Sequence, residues 1–192
     1  SRSAEAVLRE VGRRVEQGHR EVVLTGINLG CFRDRERGYG LPRLVREAGA
    51  THGLKRLRLS SIEVNHVNDE LVRALRETPT VSRHLHVPLQ SGDDLVLRAM
   101  GRRYTAATYL RRLAPLEDFN LTSDVIVGFP AEDERAFERT RQVLAAAGVI
   151  EEAPELAKNR RERWWRTASA SYSSISVGVG GDLAGELVAD AI

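Results

Sequence analysis

One cysteine, one methionine and two lysines, Lys55 and Lys158, are all that a chain of 192 residues contains of these types. A single cysteine, Cys31, excludes an internal disulfide. It also excludes a zinc or iron–sulfur site built from several thiolates of this chain. No apolar run is long enough to span a bilayer, and no signal-peptide pattern is present, so no membrane partner is expected. Neither GxGxxG nor GxxxxGK[ST] occurs, which removes the common glycine-rich phosphate loops. Aromatic residues are sparse at 5%. With one thiol and no leader pattern, the expected compartment is the cytoplasm.

What remains is the composition of a soluble globular protein, 42% hydrophobic and 29% charged. The length suits one domain with a core and a small appendage. Net charge is only +2, although the pI is about 9.0. Because lysine is nearly absent, arginine carries almost all positive charge. Its planar fork suits phosphate, but a balanced net charge argues only weakly for nucleic acid, and compositional bias explains most of these arginines.

Helical and strand patterns alternate along the first 150 residues. Ser3 caps a helix over residues 4–17, which Gly18 ends. Glu21 to Gly26 reads as a buried strand. Arg33 to Gly40 reads as a loop, and Leu41 to Ala48 as a helix. Leu57, Leu59 and Ile62 mark a second strand, and Asn68 or Asp69 caps a helix bearing Leu71, Val72 and Leu75. His84 to Gly92, HLHVPLQSG, is a strand with a polar tip. Helices follow over Asp94 to Met100 and over Ala106 to Leu113, the second capped by Thr105. Leu121 to Val127 is the fourth strand, and Glu132 to Glu134 open a helix that Gly148 stops. This order predicts an α/β fold with parallel strands, as a partial (β/α) barrel or an open doubly wound sheet. Near residue 150 the character changes to a charged linker, then to a tail, residues 176–192, of weak β character.

Four strand ends carry small or amide residues where a parallel sheet faces its ligand: Thr25-Gly26-Ile27-Asn28, Ser60-Ser61-Ile62-Glu63, Gln90-Ser91-Gly92 and Gly128-Phe129-Pro130. One such end is an ordinary turn; four together point to a polar small molecule. No nucleophile–base pair stands out. His84 and His86 read as packed or edge residues, Arg102-Arg103-Tyr104 as a solvated turn, and Cys31 as a small hydrophobe. Arg160 to Arg166, with Trp164 and Trp165, suits either base stacking or a helix burying two tryptophans.

TGINLG at 25–30, RLRLSSIE at 56–63, HLHVPLQSG at 84–92, MGRRYT at 100–105 and SDVIVGFPAE at 123–132 together resemble the radical S-adenosylmethionine methylthiotransferases that modify tRNA. TGINLG and HLHVPLQSG look most like the branch acting on N6-threonylcarbamoyladenosine at position 37. The resemblance covers residues 1–148 and implies a radical SAM partial barrel over residues 1–149, with its first and last strands missing. It implies S-adenosylmethionine and two [4Fe-4S] clusters as cofactors, tRNA as partner, and a monomer. It places Thr25 and Gly26 near the methionine part of the cofactor. Ser61, Glu63, Gln90 and Ser91 are placed at the ribose side or the mouth, and Ile126, Gly128 and Phe129 beside the adenine.

The chain departs from the family in three places. The family's CxxxCxxC normally precedes the Arg-Ser seen here as Arg2-Ser3, and this sequence contains no such motif. A sixth strand and a Tyr-Ser-Pro-Arg segment are missing after Val149, where residues 150–192 look like a linker and a TRAM-like remnant. Gly101 replaces a common asparagine. The expectation is therefore a fragment of the parent enzyme, inactive by itself. An RNA-binding module without chemistry and a non-functional truncated product are the alternatives.

Overall fold

Most of the helices begin where a short polar side chain takes the place of the missing backbone acceptor. In the computed structural model, which describes residues 2–35, 37–150 and the backbone of 173–178, α1 (Ala4–Glu16) is capped by Ser3. In the same way α3 (Asp69–Glu77) is capped by Asn68, α5 (Ala106–Leu113) by Thr105 and α6 (Glu134–Ala146) by Asp133. Helices α2 (Leu41–Gly49) and α4 (Asp94–Ala99) complete the set. Among the described residues no helix is long and apolar enough to cross a membrane.

The main strands are β1 (Glu21–Leu24), β4 (Arg56–Leu59), β5 (His84–His86), β6 (Asn120–Val127) and β7 (Ser173–Gly178). β1 pairs parallel with β4, from Glu21–Arg56 to Leu24–Leu59, and β5 pairs parallel with β6, from His84–Asn120 to His86–Thr122. A parallel bridge between Leu57 and Val81 joins the two halves. The backbone hydrogen bonds from Leu57 N to Thr80 O and from Ile62 N to His86 O reinforce it. The strands form an open wall, not a closed barrel, as a partial radical SAM type fold requires. The tail adds β7 antiparallel to β6, Thr122 opposite Gly178 and Val127 opposite Ser173, so the C-terminal β character is present. The rest of the linker and tail, including Trp164 and Trp165, lies outside the described residues.

One sequence reading is corrected. The Arg33–Gly40 segment is a tight hairpin of β2 (Arg33–Asp34) and β3 (Tyr39–Gly40), not a loop. Buried Asp34 explains its order: the carboxylate accepts from the Ala4 N–H at 2.7 Å and from the Arg37 N–H at 2.8 Å. One side chain thus fixes both the hairpin turn and the start of α1. Ile62 is buried but lies beyond the end of β4.

Burial along β6 alternates strictly, with Leu121, Ser123, Val125 and Val127 buried and their neighbours half-buried. The buried set packs under the helices with Leu85, Val87, Leu89, Tyr109, Leu116 and Phe137. The opposite, open face is polar. Pro88 follows β5, and two tyrosines take up the carbonyls on either side of it: Tyr109 Oη donates to Val87 O at 2.8 Å and Tyr104 Oη to Leu89 O at 2.9 Å. Burial raises both phenols, Tyr104 to about 12, so both stay protonated as donors. Tyr104 is therefore a core residue, not part of a solvated turn.

Candidate functional site

Because β1, β4, β5 and β6 run parallel, their C-terminal ends lie along one rim. Thr25 and Gly26 follow β1, Ser60 and Ser61 follow β4, Gln90 follows β5, and Gly128 and Phe129 follow β6. Ser60 N donates to Leu24 O, which fastens the first two ends side by side. Ile126 N donates to Gln90 O, which fastens the last two. Thr25, Gly26 and Ser61 are exposed, and Glu63, Gln90, Ile126, Gly128 and Phe129 are half-buried. Ile27 stands fully exposed at the same rim.

Gln90 is the one non-glycine residue with positive φ among the described residues, at 66°. Leu89 N and Gln90 N both donate to Asp124 O, the two-against-one pattern of a bulge, and Ser91 N folds back to Leu89 O. This is a γ-turn centred on Gln90, a strained geometry for a side chain. Its effect is to divide the Gln-Ser-Gly tip. Gln90 stays with the rim, whereas Ser91 is turned inward and fully buried.

That placement corrects the expectation for Ser91. Its hydroxyl lies 3.4 Å from Thr140 Oγ1 and accepts from the Asp93 N–H at 3.2 Å. Gly92 N donates to Thr140 Oγ1 at 2.8 Å. A Cβ on Gly92 would lie 2.5 Å from the Thr140 Cα, so only glycine lets α6 approach this closely. Asp93 then caps α4 and receives Arg139 Nε at 2.5 Å. Ser91 and Gly92 bind the rim to α6 from behind and do not face a ligand.

The loop after β6 is closed by Glu132, which precedes α6 instead of opening it. Its Oε2 accepts from the Gly128 N–H at 2.6 Å, and its backbone N–H donates to Phe129 O at 2.7 Å. Burial raises this carboxyl above its ordinary range, against the lowering effect of the Gly128 hydrogen bond. Its other oxygen, Oε1, and the Ser60 hydroxyl are buried without partners among the described residues. Two orphaned polar atoms near one rim mark a place where a polar ligand has hydrogen bonds to make. In the sequence alone Glu132 reads only as part of a helix start.

Glu63 extends the rim sideways. It lies 3.7 Å from Arg102 and 3.8 Å from His66 Nε2, which in turn is 3.3 Å from Cys31 Sγ. Cys31 is exposed and not a packed hydrophobe. A Cβ on Gly30 would strike the His66 ring at 2.5 Å, so this glycine admits the imidazole. Among the described residues no group of three or more His, Cys, Asp or Glu could hold a metal ion. With one cysteine in the whole sequence, the residues present do not fit a thiolate-ligated iron–sulfur cluster.

An open wall of parallel strands backed by helices, with a polar rim at its carboxyl end and a strained turn at Gln90, is the architecture in which α/β domains place their ligands. Residues 1–144 match the Radical SAM superfamily, and the chain belongs to it. It is similar to the threonylcarbamoyladenosine tRNA methylthiotransferase of Thermotoga maritima, 39% identical over 148 residues, 75% of this chain and 34% of that protein. The Bacillus subtilis protein of the same description is 39% identical over 145 residues, 73% and 32% of the two chains. The tRNA-2-methylthio-N(6)-dimethylallyladenosine synthase of Salinispora arenicola is 42% identical over 149 residues, 73% and 29% of the two chains. The chain spans about a third of the length of the curated relatives it matches.

Proposed function

We propose that this chain is the S-adenosylmethionine-binding wall of a tRNA methylthiotransferase, the parent reaction being methylthiolation of N6-threonylcarbamoyladenosine at position 37 of tRNA. The observation that carries the reading is the rim itself. The motif residues Thr25, Gly26, Ser61, Glu63, Gln90, Ile126, Gly128 and Phe129 all lie at one end of the sheet, beside two orphaned buried polar atoms. The relatives support tRNA as the substrate class. Relatives of both adenosine types lie at 35–42% identity, so the choice of the threonylcarbamoyl branch rests on TGINLG and HLHVPLQSG.

Of this set, Thr25 and Gly26 would hold the methionine end of the cofactor, Ser61, Glu63 and Gln90 the ribose, and Ile126, Gly128 and Phe129 the adenine. When bound, S-adenosylmethionine supplies a sulfonium whose reductive cleavage yields a radical. The chain's own residues contribute hydrogen bonds, an apolar edge at Ile126 and Phe129, and a loop held shut by Glu132. The cluster ligands are not among these residues, so the 192 residues alone are inactive. The working setting is the cytoplasm, and the chain acts as a monomer.

Isothermal titration with S-adenosylmethionine tests the site. Binding is expected for the chain and lost in the double variant Gln90→Ala with Ser61→Ala; binding that survives both changes sinks the assignment. Iron–sulfur reconstitution followed by ultraviolet–visible spectroscopy tests inactivity, and a stable cluster with near-stoichiometric iron overturns it.

A further inference from the structure

The open face of the sheet carries one continuous chain of hydrogen bonds that the rim does not use. His84 Nε2 lies 3.2 Å from Thr122 Oγ1, and His86 Nδ1 lies 2.9 Å from the same hydroxyl. His86 Nε2 lies 3.2 Å from Asp124 Oδ2. His84 and His86 alternate on β5, Thr122 and Asp124 on β6, and the parallel register sets His86 opposite Thr122, with His84 two residues before it on β5 and Asp124 two residues beyond Thr122 on β6. A hydroxyl has one proton to donate, so Thr122 gives it to one imidazole and accepts from the other.

That restriction leaves two self-consistent states. With Asp124 ionised and His86 neutral, His86 carries its proton on Nε2 and donates to Asp124. Its Nδ1 then accepts from the Thr122 hydroxyl, and Thr122 accepts from His84 Nε2–H. This leaves His84 Nδ1 as a bare acceptor, and that atom is buried without a partner among the described residues. In the second state both bonds to Thr122 point the other way, and the bond from His86 to Asp124 keeps its direction. His84 holds its proton on Nδ1, Thr122 donates to His84 Nε2, and His86 is an imidazolium donating to both Thr122 and Asp124.

We propose that His84, Thr122, His86 and Asp124 form a proton relay across the sheet, entered at His84 Nδ1 and leaving at Asp124, whose carbonyl anchors the Gln90 turn. The entering proton comes from solvent through the half-buried His84 ring, whose Nδ1 is itself covered. It binds His84 Nδ1; His84 Nε2–H passes to Thr122 Oγ1 as the Thr122 proton passes to His86 Nδ1. His84 ends neutral and the charge appears on His86, beside Asp124. The Nε2 proton then passes to Asp124 Oδ2, leaving His86 neutral and Asp124 a carboxylic acid that gives the proton back to solvent through its partly exposed side chain. One proton enters, one leaves, and no electrons move.

Electrostatics favours that direction. Three effects disfavour charge on His84: burial first, then Arg58 on β4, then His86. Arg58 is itself 3.6 Å from Glu21 on β1, and Arg56, two residues before it on β4, is 3.0 Å from the same carboxylate. On the other side of Thr122, the His86 ring has the Asp124 carboxylate 3.2 Å from Nε2. The inference depends only on this face and is independent of the proposed activity.

Imidazole ¹⁵N NMR of the whole chain across a pH titration decides it. In the wild type, His84 is expected to stay neutral while His86 becomes imidazolium, and to switch from Nε2–H to Nδ1–H in that same transition. Thr122→Val is expected to abolish the switch, and Thr122→Ser to keep it. A His84 that becomes imidazolium together with or before His86, or that keeps one tautomer throughout, overturns the relay. The wild-type spectrum alone settles the matter, so a poorly folded valine variant leaves it no less decided.

Discussion

The Tyr109 hydroxyl, on α5, donates to the carbonyl of Val87 at 2.8 Å and sits 3.3 Å from Ser123 Oγ, so one phenol links the segment that leaves β5 before Pro88 to β6. Tyr109→Phe keeps the ring and removes the donor, leaving a buried carbonyl unpaired. The expected cost is about 1–3 kcal/mol, read as a lower urea midpoint with an unchanged slope.

Gln90 holds a positive φ that costs a side chain about 1–2 kcal/mol. Gln90→Gly removes the strain but adds freedom to the unfolded chain. Its stability is therefore expected within about 1 kcal/mol of the wild type, while binding of S-adenosylmethionine falls because the amide is gone. Paired denaturation and calorimetry separate the two effects. A glycine variant that binds as well as wild type removes Gln90 from the site.

Gly92→Ala places a methyl group 2.5 Å from the backbone of α6. Backbone has to move, and the loss is expected at about 1–3 kcal/mol. Thermal melting checks it. Ser91→Ala, beside it, is expected to leave cofactor affinity unchanged, since Ser91 faces Thr140.

Asp93 responds to pH. Burial pushes its carboxyl up, but hydrogen bonds from the Val96 N–H and Arg139 outweigh it and hold the group below its ordinary value of 3.8. A lowered folded-state value means stability present above the unfolded value and lost as pH falls through the folded one. The wild type is expected to lose more stability than Asp93→Asn on acidification below about pH 4. Equal slopes in a denaturation series between pH 5 and pH 2 contradict this.

Asp34→Ala withdraws the acceptor shared by Ala4 N and Arg37 N. A cost of about 1–3 kcal/mol is expected, with faster amide exchange in the first turn of α1 and in the β2–β3 hairpin together.

Much of this architecture is legible in residue order. Ser3, Asn68 and Thr105 announce their helices, and Gly18 and Gly148, at φ of 95° and 70°, end theirs. The rim follows from four strand ends with small or amide residues. The β2–β3 hairpin is not legible, because two-residue strands have no alternation to read and Asp34 acts on α1 thirty residues away. The burial of Ser91 is hidden for a similar reason: it depends on Thr140, 49 positions later. The histidine spacing on β5 shows that His84 and His86 share a face. Only the register with β6 shows that Thr122 stands between them and Asp124 follows.

β7 engages six consecutive positions of β6, Thr122 through Val127. A parallel sheet grows by adding another strand in the same direction at its margin. Here that margin already holds an opposed strand from the chain's own tail. Any further parallel strand, from this molecule or another, has to compete for those backbone groups and can join only as fast as the tail unzips. The two ends of the sheet are thus unequal as assembly points: growth at β6 is an exchange, whereas β1 pairs with β4 alone among the described residues, so growth there is a simple addition.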